Sequence, residues 1–541
     1  MVTGPWTDAL RGGSRAPLNR LLPSYLASRR WFRDKSRRIR SATIADAIEV
    51  PPAAGMGSQS PGQFVVVDVQ LDQGLPERYV LTLGCAVGSE AAEIAKWRPE
   101  SVLCEVRSAD GDGVIYDALT AAPFTKAIVD LMGRRRHLAG TKGRLEPTPT
   151  RAFRRLRDGI GPETPAVPIS AEQSNTSVVV GNHLVVKVIR RVEEGVNPDV
   201  EVSGFLTDVA RFDHAPRLAG SVGYVSGDDE AAAIVVAQEY VANEGDGWSY
   251  VLDALSRVLG EVLSHPAQDE LRITSSSEPL AAAEAEPARD HPLVGPHLHW
   301  AEVLGRRTAE LHLALAGDST DEAFAPEPFT AVDRRSLHHG ARSLLRRSLR
   351  GVRAIGEPSE CVRELLAREP EILARLEATM RLPINARKTR CHGDYHLGQV
   401  LWTGKDFVLI DFEGEPARPL SARRLKRPPL VDVAGMIRSF HYVSRVAGDR
   451  LSRELTLPDE RALLDPLTTL WYRAITGAFL RCYLAVAAEG SFLPVSHDEL
   501  GALLDFFLLE KAIYELGYEA DNRPAWVDIP ARGVLDLLGR K

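Results

Sequence analysis

RCHGDYHLGQVLWTGKDFVLIDFEGEP, residues 390–416, is the stretch on which the reading of the chain turns. A polar turn feeds two short apolar runs separated by Thr-Gly-Lys-Asp, a pattern that predicts a hairpin with acids at its ends. Asp394 falls in the turn after His392, Gln399 comes five positions later, and Asp411 follows the second strand, residues 408–410. Short polar residues often do no more than cap such a hairpin, and for either acid alone that reading stands.

The spaced set answers a more particular need. Phosphoryl transfer uses one carboxylate to orient an acceptor hydroxyl, and an amide with a second carboxylate to hold magnesium against phosphates. The spacing matches the kinase pattern H-x-D-x-x-x-x-N followed by D-F-G, with Gln399 in place of Asn and Glu413 in place of Gly. That pattern also expects a lysine on an upstream strand. Lys187 stands at the centre of HLVVKVI (183–189), after the loop SAEQSNTS (170–177), the strand VVV (178–180) and a Gly181-Asn182 turn. An ammonium in an apolar strand is costly to desolvate without an anionic partner, although a lone strand lysine more often points outward. Glu201, on a helix expected over 199–212, is the chosen carboxylate, with Asp199 as competitor. No G-x-G-x-x-G precedes the strand; Ser174, Asn175 and Thr176 offer hydroxyl, amide and backbone N–H groups for phosphates instead. The strand AAIVVAQEYV (232–241) ends in Gln238, Glu239, Tyr240 and Val241, whose backbone groups could face adenine or simply finish a buried strand.

The rest of the chain bounds these readings. At 541 residues it is too long for one core. Hydrophobic residues at 44% and charged residues at 26% are globular values. A net charge of -7, from 66 Lys+Arg against 73 Asp+Glu, gives no global field for nucleic acid or an anionic membrane. Five scattered cysteines suggest neither a disulfide framework nor a zinc site. The N-terminus lacks a signal-peptide core and no apolar run reaches membrane-spanning length, so a cytoplasmic location is expected. Strands are expected at 64–71 and 78–83, with a loop over PPAAGMGSQSPGQ (51–63). The run RRWFRDKSRRIR is read as a solvated edge around two core aromatics. Beyond residue 248 long amphipathic helices take over, among them 300–316 and a stretch through Trp471 to Ala487, while 264–298 looks like a surface excursion. Three parts result: a cap over 1–105, a nucleotide-binding part over 106–245 and a helical part over 246–541.

HGDYHLGQ, IDFEGEPARPL, DVAGMIRSF and EKAIYELGYEADNRPAW (510–526) together resemble the maltokinases, which convert maltose and ATP to maltose 1-phosphate. RRWFRDK resembles the start of that family's cap, and EQSNTSVVV with KVIRRVEEGVNPDVEV its nucleotide lobe. The resemblance implies an α+β, bilobal protein-kinase-like fold: a strand-rich cap, a β-rich intermediate subdomain and a mostly helical C-terminal lobe. It implies Asp394 as catalytic base, Gln399 and Asp411 as magnesium ligands, Lys187 with Glu201 on the phosphates of ATP, and 238–241 as hinge. It also implies a role in glycogen and trehalose metabolism, with trehalose synthase as an occasional partner.

For the acceptor, Lys511, Glu515 and Tyr518 at i, i+4 and i+7 share a helix face that could meet sugar hydroxyls or hold a solvated ion pair. Trp526 offers an aromatic face to a pyranose ring, and Arg438 is either a sugar ligand or half of a salt bridge. His396 and Glu413 are given no chemical step. Glucosamine or an aminoglycoside is the alternative acceptor; glucosamine kinases resemble the chain but carry D-F-D-G-N-P where it has DFEGEP. A nucleotide-binding pseudokinase would be expected to lose Lys187, Asp394 or Asp411, and all three are present.

Overall fold

The computed structural model describes residues 4–32, 37–53, 62–169, 175–227, 229–264, 276–317, 320–379 and 382–539. The chain divides into two compact units, Met1–Ala242 and Asn243–Lys541.

In the first unit, β1 (Ile39–Val50), β2 (Gly62–Leu71), β3 (Glu77–Val87), β4 (Val102–Ser108) and β5 (Gly111–Asp117) form an antiparallel sheet in the order β1-β2-β3-β5-β4. Side chains alternate across a strand, so FVVV in β2 feeds two cores at once. Val65, Val67 and Val69 pack with Leu22, Leu26, Trp31 and Phe32, while Phe64 and Val66 pack with Phe124, Ile128 and Met132 of helix Ala122–Arg134. The buried Trp31 and Phe32 bear out the core-aromatic reading of the basic run.

A second sheet adds β6 (Leu138–Ala139), β7 (Gly143–Pro149), β8 (Ala166–Pro168), β9 (Thr176–Val180), β10 (Leu184–Val188), β11 (Leu218–Ser226) and β12 (Ala232–Glu239), in the order β6-β7-β11-β12-β10-β9-β8. Its Val178, Val180, Val186, Val188 and Ile234 belong to the same buried cluster as Ile128 and Val66. The cap and nucleotide sheets therefore share a core, and the boundary drawn at residue 105 falls inside β4. A bulge at Ala45, between the pairs Ile44↔Val67 and Asp46↔Val66, coincides with a second tie. The buried Asp46 carboxylate accepts bonds from Thr141 N (2.8 Å), Thr141 Oγ1 (2.7 Å), Lys142 N (3.3 Å), Gly143 N (2.8 Å) and the Tyr224 hydroxyl (3.2 Å).

The second unit is mainly helical. Helices Gly295–Ala316, Leu430–Glu454, Pro458–Ala487 and His497–Asn522 enclose Trp300, Phe440, Trp471, Phe479 and Tyr483. The described part of the expected excursion corrects that reading. Helix Pro279–Glu284 buries Leu280, Ala282 and Ala283, and Leu293, Val294 and Leu298 are core residues. Gly477 permits the close approach, because a Cβ there would stand 2.4 Å from the Ala282 carbonyl oxygen. A run of alanines reads as a weak surface segment, yet small side chains are what such close packing requires. Among the described residues no helix is long and apolar enough to cross a membrane.

Candidate active site

The nucleotide half begins with β9 and β10, antiparallel neighbours paired Leu184↔Val180 through Val188↔Thr176. Gly181, at φ 55°, takes the first central position of their turn, where an L side chain would be strained. Valines 178, 180, 186 and 188 face the core, which leaves Lys187 on the opposite face. Lys187 Nζ lies 3.4 Å from Asp199 Oδ2, and the Asp199 side chain is fully buried. Asp199 opens helix Pro198–Asp208, capped by the Asn197 side chain on Val200 N, where the helix dipole favours an anion. Its Oδ1 accepts from Ser203 Oγ (3.2 Å) and Gln238 Nε2 (3.2 Å).

The other expected nucleotide residues lie close to these bonds. Asp199, the competitor, lies against Lys187, and Glu201, two residues further along the same helix, is half-buried. Gln238 directs its side chain to Asp199 and Ser203 from inside β12, so it braces the lysine's partner. Glu239 pairs with Arg217 through side chain (3.4 Å) and backbone (2.8 Å), and Tyr240 N donates to His183 O (2.9 Å). Val241 lies just beyond, next to the division between the units. Asn175 is buried, Thr176 Oγ1 accepts a bond from Arg190 Nε (3.0 Å), and Ser174 lies outside the described residues.

In the second unit the deciding segment forms the expected hairpin, Val400–Trp402 against Phe407–Leu409. Arg307 holds its turn by a two-pronged bond to Asp406, at 2.9 and 2.7 Å. His392 Nε2 donates to Ile410 O at 2.9 Å, and its ring packs on Tyr395 and Phe412. Gly393 (φ 85°) passes so near the loop after Asp411 that a Cβ would stand 3.3 Å from the Gly414 Cα. Asp411 has φ 66°, an uncommon backbone for a non-glycine residue, of the kind that clusters at functional sites. Gln399 Nε2 donates to Asp411 Oδ2 at 2.9 Å, which brings the two expected metal ligands together. Their amide and carboxylate oxygens form a hard donor set suited to magnesium.

Asp394 Oδ1 accepts from Lys511 Nζ at 3.3 Å, and the same ammonium lies 3.9 Å from Glu415 Oε2. Burial works against the Asp394 anion, but the charge of Lys511, with His396 and His392, outweighs it and holds the carboxyl below its ordinary range. Burial likewise opposes the Lys511 cation, and Asp394, Glu415 and Glu515 overcome it. Glu415 moves the other way, pushed up by burial and by the Asp394 charge, while Tyr514 donates to it at 2.6 Å. His396 is pushed down by burial; its Nδ1 accepts from Gly398 N at 3.0 Å.

Lys511, Glu515 and Tyr518 do share the helix His497–Asn522, but not as one hydroxyl-facing set. Glu515 takes Arg438 Nε and Nη2 at 2.9 and 2.7 Å, and Arg438 is only 2% exposed. The salt-bridge reading of Arg438 is therefore the one observed. Tyr514 and Tyr518 stack at 6.4 Å, and Arg523 lies over the rings of Tyr518 (5.6 Å) and half-buried Trp526 (4.6 Å).

Two contributors escaped sequence reading. Glu415 lies inside the quoted segment, and its acid-rich context was the available signal. Asp432 had none, being some forty residues from the loop it holds: it accepts from His392 N (2.7 Å), Gly393 N (2.9 Å) and His312 Nε2 (3.1 Å). Its carboxyl stays low although burial opposes the charge, because His312, His392 and the Gly393 amide prevail.

Comparison with known proteins gives family, sequence and fold matches. Residues 166–414 match the phosphotransferase enzyme family, and residues 25–120 match the maltokinase N-terminal cap domain. A glucosamine kinase of Streptacidiphilus jiangxiensis is 28% identical over 411 residues, 75% of this chain and 81% of that protein. A glucosamine kinase of Mycolicibacterium smegmatis is 26% identical over 385 residues, 69% and 79% of the two. The solved structure of a glucosamine kinase in complex with glucosamine, ADP and inorganic phosphate shares the fold, with TM-score 0.58 at 22% identity over 91% of this chain and 94% of that one. Another crystal form of a glucosamine kinase gives 0.59 at 21% identity over 99% of both. The chain is a sugar kinase of the protein-kinase-like fold. Its matches combine a phosphotransferase domain with a maltokinase-type cap.

Proposed function

We propose that this chain is a maltokinase, transferring the γ-phosphoryl group of ATP to the C1 hydroxyl of maltose. The observation that carries the reading is the Lys511–Asp394 pair beside Gln399 and Asp411. Lys511 donates to Oδ1 of Asp394, keeps the carboxylate ionised and leaves Oδ2 for the acceptor hydroxyl. As the acceptor oxygen bonds to γ-phosphorus, the bond to the β-bridging oxygen breaks, ADP departs and the hydroxyl proton passes to Asp394. Gln399 and Asp411 would hold magnesium, which would offset the charge developing on the phosphates. Lys187, steadied by Asp199, with Glu201 nearby, serves the α- and β-phosphates. The backbone of 239–241 serves adenine, and Asn175 and Thr176 lie at the phosphate end of β9. Positioning supplies most of the rate.

The cap match supports maltose, and the Lys511 ammonium beside Asp394 supports a neutral acceptor over a cationic one. The names of the relatives favour glucosamine as the second reading. Coupled ADP release with Mg-ATP against maltose, glucosamine, glucose, trehalose and kanamycin separates them, with Asp394→Asn as blank. Selective turnover of maltose is expected. Turnover of glucosamine alone would keep the kinase and discard the acceptor; silence with ATP still bound would leave a nucleotide-binding scaffold. A maltose 1-phosphate product would suit α-glucan synthesis, and a trehalose synthase partner rests on resemblance alone.

A further inference from the structure

Three residues beyond Lys187 the chain leaves its own sheet and runs beside the cap. Val80 N donates to Arg190 O (2.7 Å), Tyr79 bridges Arg191, and Val192 N donates to Arg78 O (2.8 Å). The Arg190 side chain is wholly buried there, which is rare for an arginine and tolerable only with its donors engaged. Nη2 meets Asp117 Oδ2 at 2.6 Å and Nη1 donates to Thr82 Oγ1 at 3.2 Å, both in the cap sheet. The guanidinium also lies 5.1 Å from the ring centre of Trp31. Its Nε donates to Thr176 Oγ1 at 3.0 Å, on the first residue of β9. Thr176 pairs with Val188, and Ser177 with Lys187. One rigid, planar cation thus joins two cap strands to the start of β9 and, through its own backbone, to the end of the strand that carries Lys187.

We propose that Arg190 is a positioning residue for the nucleotide, through which the cap sets the grip of the first unit on ATP. The proposal rests on the reading of this unit as the ATP-binding one. The cap residues Thr82 and Asp117 fix the Arg190 fork; the fork fixes where β9 begins and how Lys187 is presented. A looser fork weakens ATP binding and spares the acceptor and the chemical step.

The test uses the full-length enzyme, with steady-state kinetics in each substrate and calorimetric titration of ATP. Thr82→Val removes a single oxygen in the cap, and Arg190→Lys keeps the charge but loses the fork. Each should raise the KM and Kd for ATP about fivefold to tenfold, an effect of the order of one or two hydrogen bonds, with kcat and the sugar KM within about twofold. Thr82→Val combined with Arg190→Lys should cost no more than the larger single change, since both act through one group. If Arg190→Lys fails to fold, Thr82→Val carries the test. Lower thermal stability with unchanged ATP KM and Kd would overturn the proposal and leave Arg190 a core residue. Absence of ATP binding by the wild-type enzyme would instead remove the reading on which it rests.

Discussion

Two lysine–aspartate pairs of almost equal length occupy the two units: Lys187–Asp199 at 3.4 Å and Lys511–Asp394 at 3.3 Å. Their surroundings differ. Asp199 has no exposed side-chain surface and takes additional bonds from Ser203 and Gln238, so its orientation is overdetermined. Asp394 and Lys511 keep 18% and 24% of their side-chain surface open, and the lysine is shared with Glu415. A group that only holds phosphates is served by a closed network. Under the proposed function Asp394 takes a proton from each acceptor and has to stay reachable, and its charge is set by a lysine shared with Glu415.

The largest test of that contrast is Asp394→Asn, expected to cut kcat by about a hundredfold or more while the ATP Kd, measured by calorimetry, stays near wild type. Unchanged turnover would break the comparison at its more open end. Next in size, Asp199→Asn should raise the KM for ATP by about tenfold, the cost of removing one charged partner from Lys187, with kcat less affected. Glu201→Gln should do less, and the reverse order would return the pairing to Glu201. The smallest effect concerns pH. Glu415 is raised above its ordinary value and Asp394 held below its own, so on acidification Glu415 takes up a proton first. The acid limb of kcat/KM for the acceptor should therefore begin above the usual glutamate range, and Glu415→Gln should move it to lower pH. A limb that does not move would show that Glu415 does not set the charge around Asp394.

The sequence exposed the hairpin because its strands, its turn and its acids lie within one short segment, where spacing is geometry. Lys187 was legible for the same reason, as a charge out of place in an apolar strand. Its partner was harder to choose, since Asp199 and Glu201 lie two positions apart on one helix, and the 3.4 Å contact of Asp199 appears only in the packed structure. β1, IRSATIADAIEV, went unread because its alanines and acids are poor strand formers; its pairing with β2 overrides that preference. Asp432 and Arg190 act on residues brought to them by the fold, and no local pattern announces such contacts.

The bonds around Asp46 bear on ancestry. A cap whose carboxylate gathers the amide and hydroxyl donors of Thr141–Gly143 is no detachable accessory. A lineage that shed it would leave a bend of the neighbouring sheet whose N–H groups had exchanged a fixed carboxylate for water. Exchange of caps between related enzymes should then succeed only when the acid at this position travels with the graft.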